Sequence, residues 1–394
     1  MKTVIYYTST YFLDISLEII NVLKQQVNLH VLIEITPSSK NANIINVDTL
    51  PKGKYLALPN EILGEKDQAC FKDYFDGVKS VHFVVHNHHS GLSLSTLKVV
   101  NAVKKHIRFI NPEIIHFEGF TLRTIGILPF LYKVKKMVLT VHDAVLHTGE
   151  TTWKSRLPRF LFFRLPVNKS FVFYSDYSMQ QFIKHARHSR GDKVLLKMYP
   201  FSYFKKIGLS MPEGHTGILF FGRISKYKGV DILLDAMPTV LKEFPDEKLI
   251  IAGKGAENDL LKHPVLNNKK YNATIINRYI QNEELVALIK LAKVVVCPYI
   301  DATQSGVLMT AFALNKPVIA TNVGAFGESI KNDYNGLLVS QTNADELSKC
   351  IIYSLKGSRY LQWESNLVLD STNNQWYNNS RLLMDTYEYK KINA

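Results

Sequence analysis

Residues 294–324 constrain the fold of this chain more than any other stretch. A valine-rich apolar run ends at Pro298, a polar turn follows, and Ser305-Gly306 opens a helical pattern of apolar residues. Pro317 ends that helix because proline cannot continue it, and the apolar residues after it predict a second buried parallel strand. A strand, loop, helix and strand in this order predict an α/β fold.

The turn before this helix is a candidate anion site. It lies at the carboxyl end of a strand, where open α/β sheets bind ligands, and the first N–H groups of a helix attract phosphate. Ser305 suits the N-cap position, and Gly306 lets a ligand approach the backbone closely. We therefore expect a phosphate-containing ligand here.

The same alternation of strands and helices extends along the chain. The first half opens with a β-α-β pattern, and residues 217–320 read as a Rossmann-like βα repeat. The polar stretch 199–212 is interpreted as an interdomain linker. The length of 394 residues leaves room for two domains with a core each.

Composition favours a cytoplasmic protein. No window of about eighteen apolar residues predicts a membrane span, and the N-terminus has no long apolar core or cleavage site typical of a signal peptide. The three cysteines are scattered, which suits a reducing compartment and makes a zinc site improbable.

Positive charge is concentrated in the first half. The net charge is +14 overall, of which residues 1–205 carry +12 and the remainder carries +2. Such a field attracts nucleic acid, anionic lipid headgroups or a phosphorylated substrate alike. Because the sequence has no zinc finger, RRM signature or basic repeat, nucleic acid is disfavoured as a partner.

Three predicted strands end near histidines, at His86, His116 and His142-Asp143. A single histidine at a strand end is more often a structural hydrogen-bonding group than a catalyst. Three of them at one edge of a sheet favour a substrate-facing surface. Metal binding by the run His86–His89 stays open as a weaker alternative.

The segment 153–165 interleaves arginines with phenylalanines and allows two interpretations. It is either an interfacial segment whose arginines meet anionic headgroups, or a core helix with solvated arginines. The second is slightly favoured because the run is apolar on more than one side and contains prolines.

The string KPVIATNVG at residues 316–324 and the preceding strand, loop and helix resemble the donor-site signature of the family-four retaining glycosyltransferases. The resemblance implies the GT-B fold: α/β, with two Rossmann-like domains facing across a cleft and a C-terminal helix crossing back to the first. Its implied boundaries are residues 1–205, 206–375 and 376–394. It also implies a nucleotide-sugar donor and no metal.

The chain departs from that signature at both of its glutamates. Ala302 and Thr310 stand at those positions, and the string ATQSG resembles a variant associated with bacterial polysaccharide assembly. Contacts to the donor sugar must then come from other groups.

Two further strings carry functional residues by resemblance. GRISKYKG at 222–229 matches an element whose arginine and lysine, here Arg223 and Lys228, neutralise the leaving diphosphate, and TVHD places His142 near the donor sugar. His142, Arg223 and Lys228 are the predicted catalytic residues. The predicted donor-binding residues are Gly222, Arg223, Lys228, Gly253, Lys254, Asp301, Gln304, Ser305, Gly306, Val307 and Thr310. The predicted acceptor-side residues are His86, His116, His142 and Asp143.

The resemblance implies a retaining, metal-independent transferase that moves a sugar from a UDP- or GDP-linked donor, a substrate and not a cofactor, to a lipid-linked glycan. The basic first half would then face an anionic membrane surface from the cytoplasm. The alternative is a non-catalytic GT-B protein that binds a nucleotide-sugar or a glycan, which the missing glutamates favour.

Overall fold

The computed structural model describes residues 1–88, 91, 93–145, 152–186, 188–207, 217–255, 258–268, 270–340, 342–371 and 375–388. The chain divides into two compact units. The first comprises Met1–Met198 together with the segment from Gln375 onward, and the second comprises Tyr199–Asn374.

The described residues of the first unit form an eight-stranded sheet. From one edge to the other its strands are Asp192–Leu195, Lys169–Phe173, Lys136–Thr140, Ile114–Phe117, Thr3–Ser9, Asn28–Ile35, Ser80–Val85 and Leu56–Ala57. Neighbours are parallel except for Leu56–Ala57, which is antiparallel to Ser80–Val85. The strand order reverses beside Thr3–Ser9, and this switch point is where sheets of this type bind ligands.

Helices cover this sheet because strands buried on both faces need apolar partners on both sides. The helices of the first unit are Leu13–Leu23, Glu65–Phe75, Leu94–Ile110, Leu128–Leu131, Trp153–Arg164, Asp176–His185 and Ser380–Tyr387. The last of these comes from the end of the chain. Its Tyr387 is fully buried, and the Tyr387 hydroxyl lies 2.7 Å from Nδ1 of His116 in the sheet.

The described part of the second unit contains a six-stranded parallel sheet. Across the sheet the order is Ala273–Ile276, Leu249–Ala252, Gly217–Phe221, Ala292–Cys297, Val318–Thr321 and Gly336–Val339. Numbered along the chain, this is the Rossmann order 3-2-1-4-5-6, with its switch point between Gly217–Phe221 and Ala292–Cys297. The helices are Val230–Glu243, Asn258–Leu261, Pro264–Asn267, Asn282–Leu291, Gly306–Ala313, Phe326–Ser329, Ala344–Leu355 and Arg359–Asp370.

The two predicted Rossmann-like domains are confirmed, but the stretch 199–212 differs from the expected polar linker. The second unit begins at Tyr199, and Phe201, Tyr203 and Phe204 are buried around the short helix Ser202–Lys206. Their aromatic surface outweighs the polar residues between them. The rest of the expected linker, from residue 208, lies outside the described residues.

The Arg/Phe segment is the helix Trp153–Arg164, and its two faces differ. Phe162 and Phe163 are buried in the core, as the core interpretation expects: Phe162 packs against Phe117, and Phe163 packs against Phe171 and Phe182. The exposed large apolar side chains of this helix are Trp153, Leu157 and Phe160. No helix among the described residues is long and apolar enough to cross a bilayer.

Candidate functional site

The switch point of the second unit brings three predicted donor residues together. Gly222 follows the strand Gly217–Phe221, with φ at 110°. A methyl group at Gly222 would lie 3.2 Å from both Nζ of Lys228 and Cγ2 of Val307. The absence of a side chain at Gly222 therefore leaves space between the lysine ammonium and the first turn of the helix Gly306–Ala313. A phosphate placed there would meet a cation and helix N–H groups.

Lys228 is held by a residue that the sequence analysis missed. Its side chain is buried, and Nζ donates a hydrogen bond of 2.9 Å to the hydroxyl of Tyr299. Burial raises the pKa of Tyr299 well above its usual value, so this partner stays neutral. A neutral acceptor orients the ammonium without cancelling its charge.

Backbone contacts fix the loops that carry these two side chains. The N–H of Ile300 donates to the carbonyl of Tyr227 at 2.7 Å. Gly229 has φ at 60°, and any side chain there would collide with the carbonyl oxygen of Pro298. The loop after Cys297 and the turn that carries Lys228 are thus joined by backbone contacts, which position Tyr299 beside Lys228.

The helix N-terminus forms as the sequence predicts. Ser305 is the N-cap, and its hydroxyl accepts a hydrogen bond of 3.3 Å from the N–H of Leu308. Thr310 is 4% exposed, and its hydroxyl donates to the carbonyl of Gly306 at 2.9 Å. That hydroxyl proton is engaged within the helix, so Thr310 is a weaker candidate for a sugar contact than predicted.

The remaining predicted donor residues lie in loops at the same sheet edge. Arg223 and Lys254 are exposed, and the carbonyl of Lys254 accepts a hydrogen bond of 2.9 Å from the N–H of Ile224. Gly253 approaches Gly222 so closely that a side chain would strike the Gly222 carbonyl. Asp301 and Gln304 are half-buried in the loop before Ser305. The structure thus gathers this predicted set within one unit.

A second cluster surrounds His142 at the switch point of the first unit. Nε2 of His142 lies 3.0 Å from Oε1 of Glu118 and 3.0 Å from the Glu118 carbonyl oxygen. The ring of Phe12 stacks on the imidazole, with centroids 4.0 Å apart and planes 4° apart. Gly119 makes room for this ring, since a methyl group there would lie 2.6 Å from Cε2 of Phe12.

Glu118 is fully buried and saturated with hydrogen bonds. Oε2 accepts from the hydroxyls of Tyr6 at 2.8 Å and Thr140 at 3.0 Å. Oε1 accepts from the hydroxyl of Tyr174 at 2.9 Å and from His142. A buried carboxylate is stable only when it is paired in this way.

Burial and hydrogen bonding shift the pKa values of His142 and Glu118 in opposite directions. Burial disfavours a charged imidazole, but the hydrogen bond and negative charge of Glu118, with a smaller contribution from Asp143, raise the pKa of His142 above its usual value. Burial would likewise raise the pKa of Glu118, yet the His142 contact and the hydrogen bond from the Tyr6 hydroxyl lower it. The structure therefore favours a carboxylate facing an imidazolium.

The acceptor-side placement of His116 and His86 requires correction. His116 is fully buried, with Nδ1 2.7 Å from the Tyr387 hydroxyl and Nε2 2.9 Å from the Thr140 hydroxyl. His86 is 3% exposed. Burial lowers the pKa of each to about 4, so both are neutral structural groups that an acceptor does not reach.

Of the predicted acceptor-side residues, His142 and Asp143 remain at the surface of the first unit, each half-buried. In the run 86–89, His89 lies outside the described residues. Within the described part of the chain, no group of three or more His, Cys, Asp or Glu side chains is arranged to hold a metal ion.

Residues 205–380 match the family model of glycosyl transferases group 1. This part of the chain resembles that family. An uncharacterized glycosyltransferase of Methanocaldococcus jannaschii is 33% identical over 140 residues, which is 36% of each chain. The chain thus matches about a third of the length of this relative, and residues 205–380 fall almost entirely in the second unit.

Solved structures of similar fold cover both units. A glycosyltransferase from Rickettsia africae superposes with a TM-score of 0.65 at 15% identity, covering 99% of this chain and 100% of that one. Anabaena Alr3699/HepE, solved with UDP-glucose, gives a TM-score of 0.63 at 14% identity and 98% coverage of each chain. At such identities the likeness establishes the GT-B fold for this chain.

Proposed function

We propose that this chain is a retaining glycosyltransferase that transfers a sugar from a nucleotide-sugar to a glycan acceptor. The carrying observation is the space between Gly222, Nζ of Lys228 and the first turn of Gly306–Ala313. A diphosphate fits this space by charge, because a buried ammonium and a helix N-terminus both attract anions.

In the proposed reaction the bond between the sugar C1 and the diphosphate oxygen breaks, and a bond from an acceptor hydroxyl oxygen to C1 forms on the same face. The acceptor proton passes to the departing phosphate oxygen. Negative charge grows on that diphosphate, so the charges of Lys228 and Arg223 contribute most in the transition state. A charge-assisted hydrogen bond of this kind is worth about 1.5–3 kcal/mol.

Sugar contacts in this proposal come from the loop before Ser305. Ala302 and Thr310 stand where the family signature has glutamates, and the Thr310 hydroxyl is engaged with Gly306. Asp301 and Gln304 carry half-buried polar side chains in that loop, whereas Thr303 is buried. We infer that they take over hydroxyl recognition, in a variant site of the kind used in bacterial polysaccharide assembly.

The acceptor is proposed to be a lipid-linked glycan at an anionic membrane surface facing the cytoplasm. Residues 1–205 carry a net charge of +12, and Trp153, Leu157 and Phe160 project apolar surface beside the exposed Lys154 and Arg156. Basic and aromatic side chains on one exposed helix face suit the boundary between headgroups and acyl chains.

The test is a binding panel followed by an activity assay. UDP, GDP, UDP-glucose and GDP-mannose are screened by thermal shift, with UDP as the first probe because the Anabaena neighbour was solved with UDP-glucose. A ligand at a hundred times its Kd adds about 2.7 kcal/mol of stability. Wild type and Lys228→Ala, Arg223→Ala and Lys226→Ala are compared; Lys226 is an exposed lysine of the same turn and serves as the matched control.

We expect Lys228→Ala and Arg223→Ala to lose diphosphate-dependent stabilisation and turnover, and Lys226→Ala to keep both. Full binding and turnover in Lys228→Ala would contradict the proposed donor site. Binding of a nucleotide-sugar with no transfer to any glycan, and no slow hydrolysis of the donor, would favour the non-catalytic alternative.

A further inference from the structure

The strongest unassigned feature of the first unit is the buried carboxylate of Glu118. Four described side chains donate to it, and they come from three parts of the chain: Tyr6, the neighbouring Thr140 and His142, and Tyr174. Only His142 among them is partly accessible to solvent, with 10% of its side chain exposed. Of the four side chains that donate to this carboxylate, the imidazole is therefore the one that links it to the surface.

The geometry leaves the His142 ring little freedom. Nε2 is directed at both Oε1 and the main-chain carbonyl of Glu118, each at 3.0 Å. Phe12 covers one face of the ring, and Tyr174 lies against the ring with centroids 5.8 Å apart. The direction of Nε2 and the stacked ring of Phe12 together fix the orientation of the imidazole.

We propose that Glu118 is a positioning residue: its buried carboxylate fixes the orientation of the His142 ring by accepting the hydrogen bond from Nε2–H. The proposed function enters only in taking His142 as a residue that contacts the substrate. A fixed cationic donor suits a sugar hydroxyl or a phosphate oxygen, since both accept hydrogen bonds.

The charges that face His142 come from three directions. Glu118 lies at the end of the strand Ile114–Phe117, and Asp143 is adjacent in the loop of His142 itself. Asp14, at the start of the helix Leu13–Leu23, interacts with His142 electrostatically. His116 adjoins Glu118, with Nε2 3.9 Å from Oε2. Of these groups, Glu118 makes the direct hydrogen bond to the ring, so its removal should have the largest effect.

The decisive experiment follows the His142 imidazole by NMR in the full chain, labelled with ¹⁵N-histidine and without substrate. In Glu118→Gln the buried negative charge is lost, so the His142 titration should shift to lower pH. In Tyr174→Phe the oxygen Oε1 loses its other donor while the ring of residue 174 is kept, so Oε1 binds His142 more strongly. The titration should then shift to higher pH.

Tyr6→Phe is the matched control. Tyr6 donates to the same carboxylate but to Oε2, which retains Thr140 as a donor. Its effect on His142 should therefore be smaller than that of Tyr174→Phe. General damage to the fold would not move the titration in opposite directions in two variants. If Glu118→Gln does not fold, the two tyrosine variants still decide the matter.

An activity assay gives an independent readout. Glu118→Gln should lower kcat by up to about a hundredfold at neutral pH, because a misplaced contact group can cost that much. The loss should shrink as pH falls and His142 is protonated again. An unchanged titration in Glu118→Gln, or shifts in the same direction in Glu118→Gln and Tyr174→Phe, would overturn the proposal. Absence of any transferase activity would count against the proposed function alone, since the NMR titration needs no substrate.

Discussion

The ammonium nitrogen of Lys228 lies 2.9 Å from the hydroxyl oxygen of Tyr299, and both side chains are buried in the second unit. The lysine also lies 4.8 Å from the centre of the tyrosine ring. Lys228 comes from the turn after the first strand of this unit, and Tyr299 from the loop after the fourth. The contact therefore joins the two sides of the Rossmann switch point.

The first prediction is that Tyr299→Phe weakens donor use while keeping the ring packing. Loss of the hydroxyl removes an acceptor that orients the Lys228 ammonium. A hydrogen bond to a charged group is worth about 1.5–3 kcal/mol, so kcat/KM for the donor should fall about tenfold or more. The measurement is steady-state kinetics with the donor found in the binding panel.

Tyr227→Phe is the control for this variant. The Tyr227 ring lies 6.3 Å from that of Tyr299, and its described contact with this loop is made by the main-chain carbonyl. It should retain activity. Wild-type kcat/KM in Tyr299→Phe would show that Lys228 needs no orientation by this hydroxyl.

The second prediction concerns metal. In the proposed site, Lys228, Arg223 and the N–H groups at the start of Gly306–Ala313 meet the charge that a divalent cation would otherwise neutralise. Turnover should therefore survive EDTA without change in KM for the donor. Loss of activity that Mg²⁺ or Mn²⁺ restores would contradict the assignment and redirect attention to Asp143 and His88.

The third prediction is a loss of stability in acid. Burial lowers the pKa of His86, His106 and His116 to about 4, whereas an unfolded histidine titrates near 6.5. The unfolded chain binds the extra protons, so the stability contributed by these residues is complete above about pH 6.5 and is lost as pH falls toward 4. Asp14, with its pKa raised to about 6 by burial, opposes this loss, as does His142.

The variant that isolates one histidine is His116→Gln. Between about pH 6.5 and 4, one proton taken up on unfolding changes the free energy of unfolding by about 1.4 kcal/mol per pH unit. Urea titrations at several pH values give the slope of the free energy of unfolding against pH. This slope should be smaller by about this amount in His116→Gln and unchanged in His185→Gln, a control at an exposed position. Equal slopes in wild type and His116→Gln would refute the burial argument.

Local patterns predicted the βα repeat of residues 217–320, which forms a parallel sheet. Ser305 caps its helix as expected. These features depend on apolar runs and on neighbours within four residues. Residues 199–207 differ from the predicted polar linker because Phe201, Tyr203 and Phe204 bury their aromatic rings although their neighbours in sequence are polar.

The surroundings of Glu118 could not be predicted in the same way. Its partners Tyr6 and Tyr174 are separated from it by 112 and 56 residues, and only the parallel strand order brings them to one carboxylate. Phe12 stacks on His142 because Gly119 leaves room for its ring. Tyr299 could be predicted from the sequence, since it directly follows Pro298 in the loop that carries Asp301 and Gln304.

The last prediction concerns the exposed face of the helix Trp153–Arg164. Trp153, Leu157 and Phe160 are 55%, 39% and 53% exposed, and the guanidinium of Arg164 lies 4.5 Å from the centre of the Phe160 ring. If this face meets an anionic bilayer, its apolar side chains insert while its cations pair with headgroups. The full chain should then sediment with vesicles containing anionic lipid and be released as salt rises, because salt shortens the Debye length.

Two kinds of variant separate the contributions of charge and of apolar insertion to membrane binding. Lys154→Gln with Arg156→Gln should weaken sedimentation about fivefold per charge, since each basic group near such a surface contributes about 1 kcal/mol. Leu157→Ser with Phe160→Ser should weaken it at every salt concentration, because apolar burial is not screened. Leu369→Ser is the matched control: Leu369 is 69% exposed on a helix of the second unit, which carries little net charge. Equal losses in all three variants, or sedimentation that ignores lipid charge, would assign the basic half to a soluble glycan instead, since a neutral acceptor needs neither the apolar face nor the surface cations.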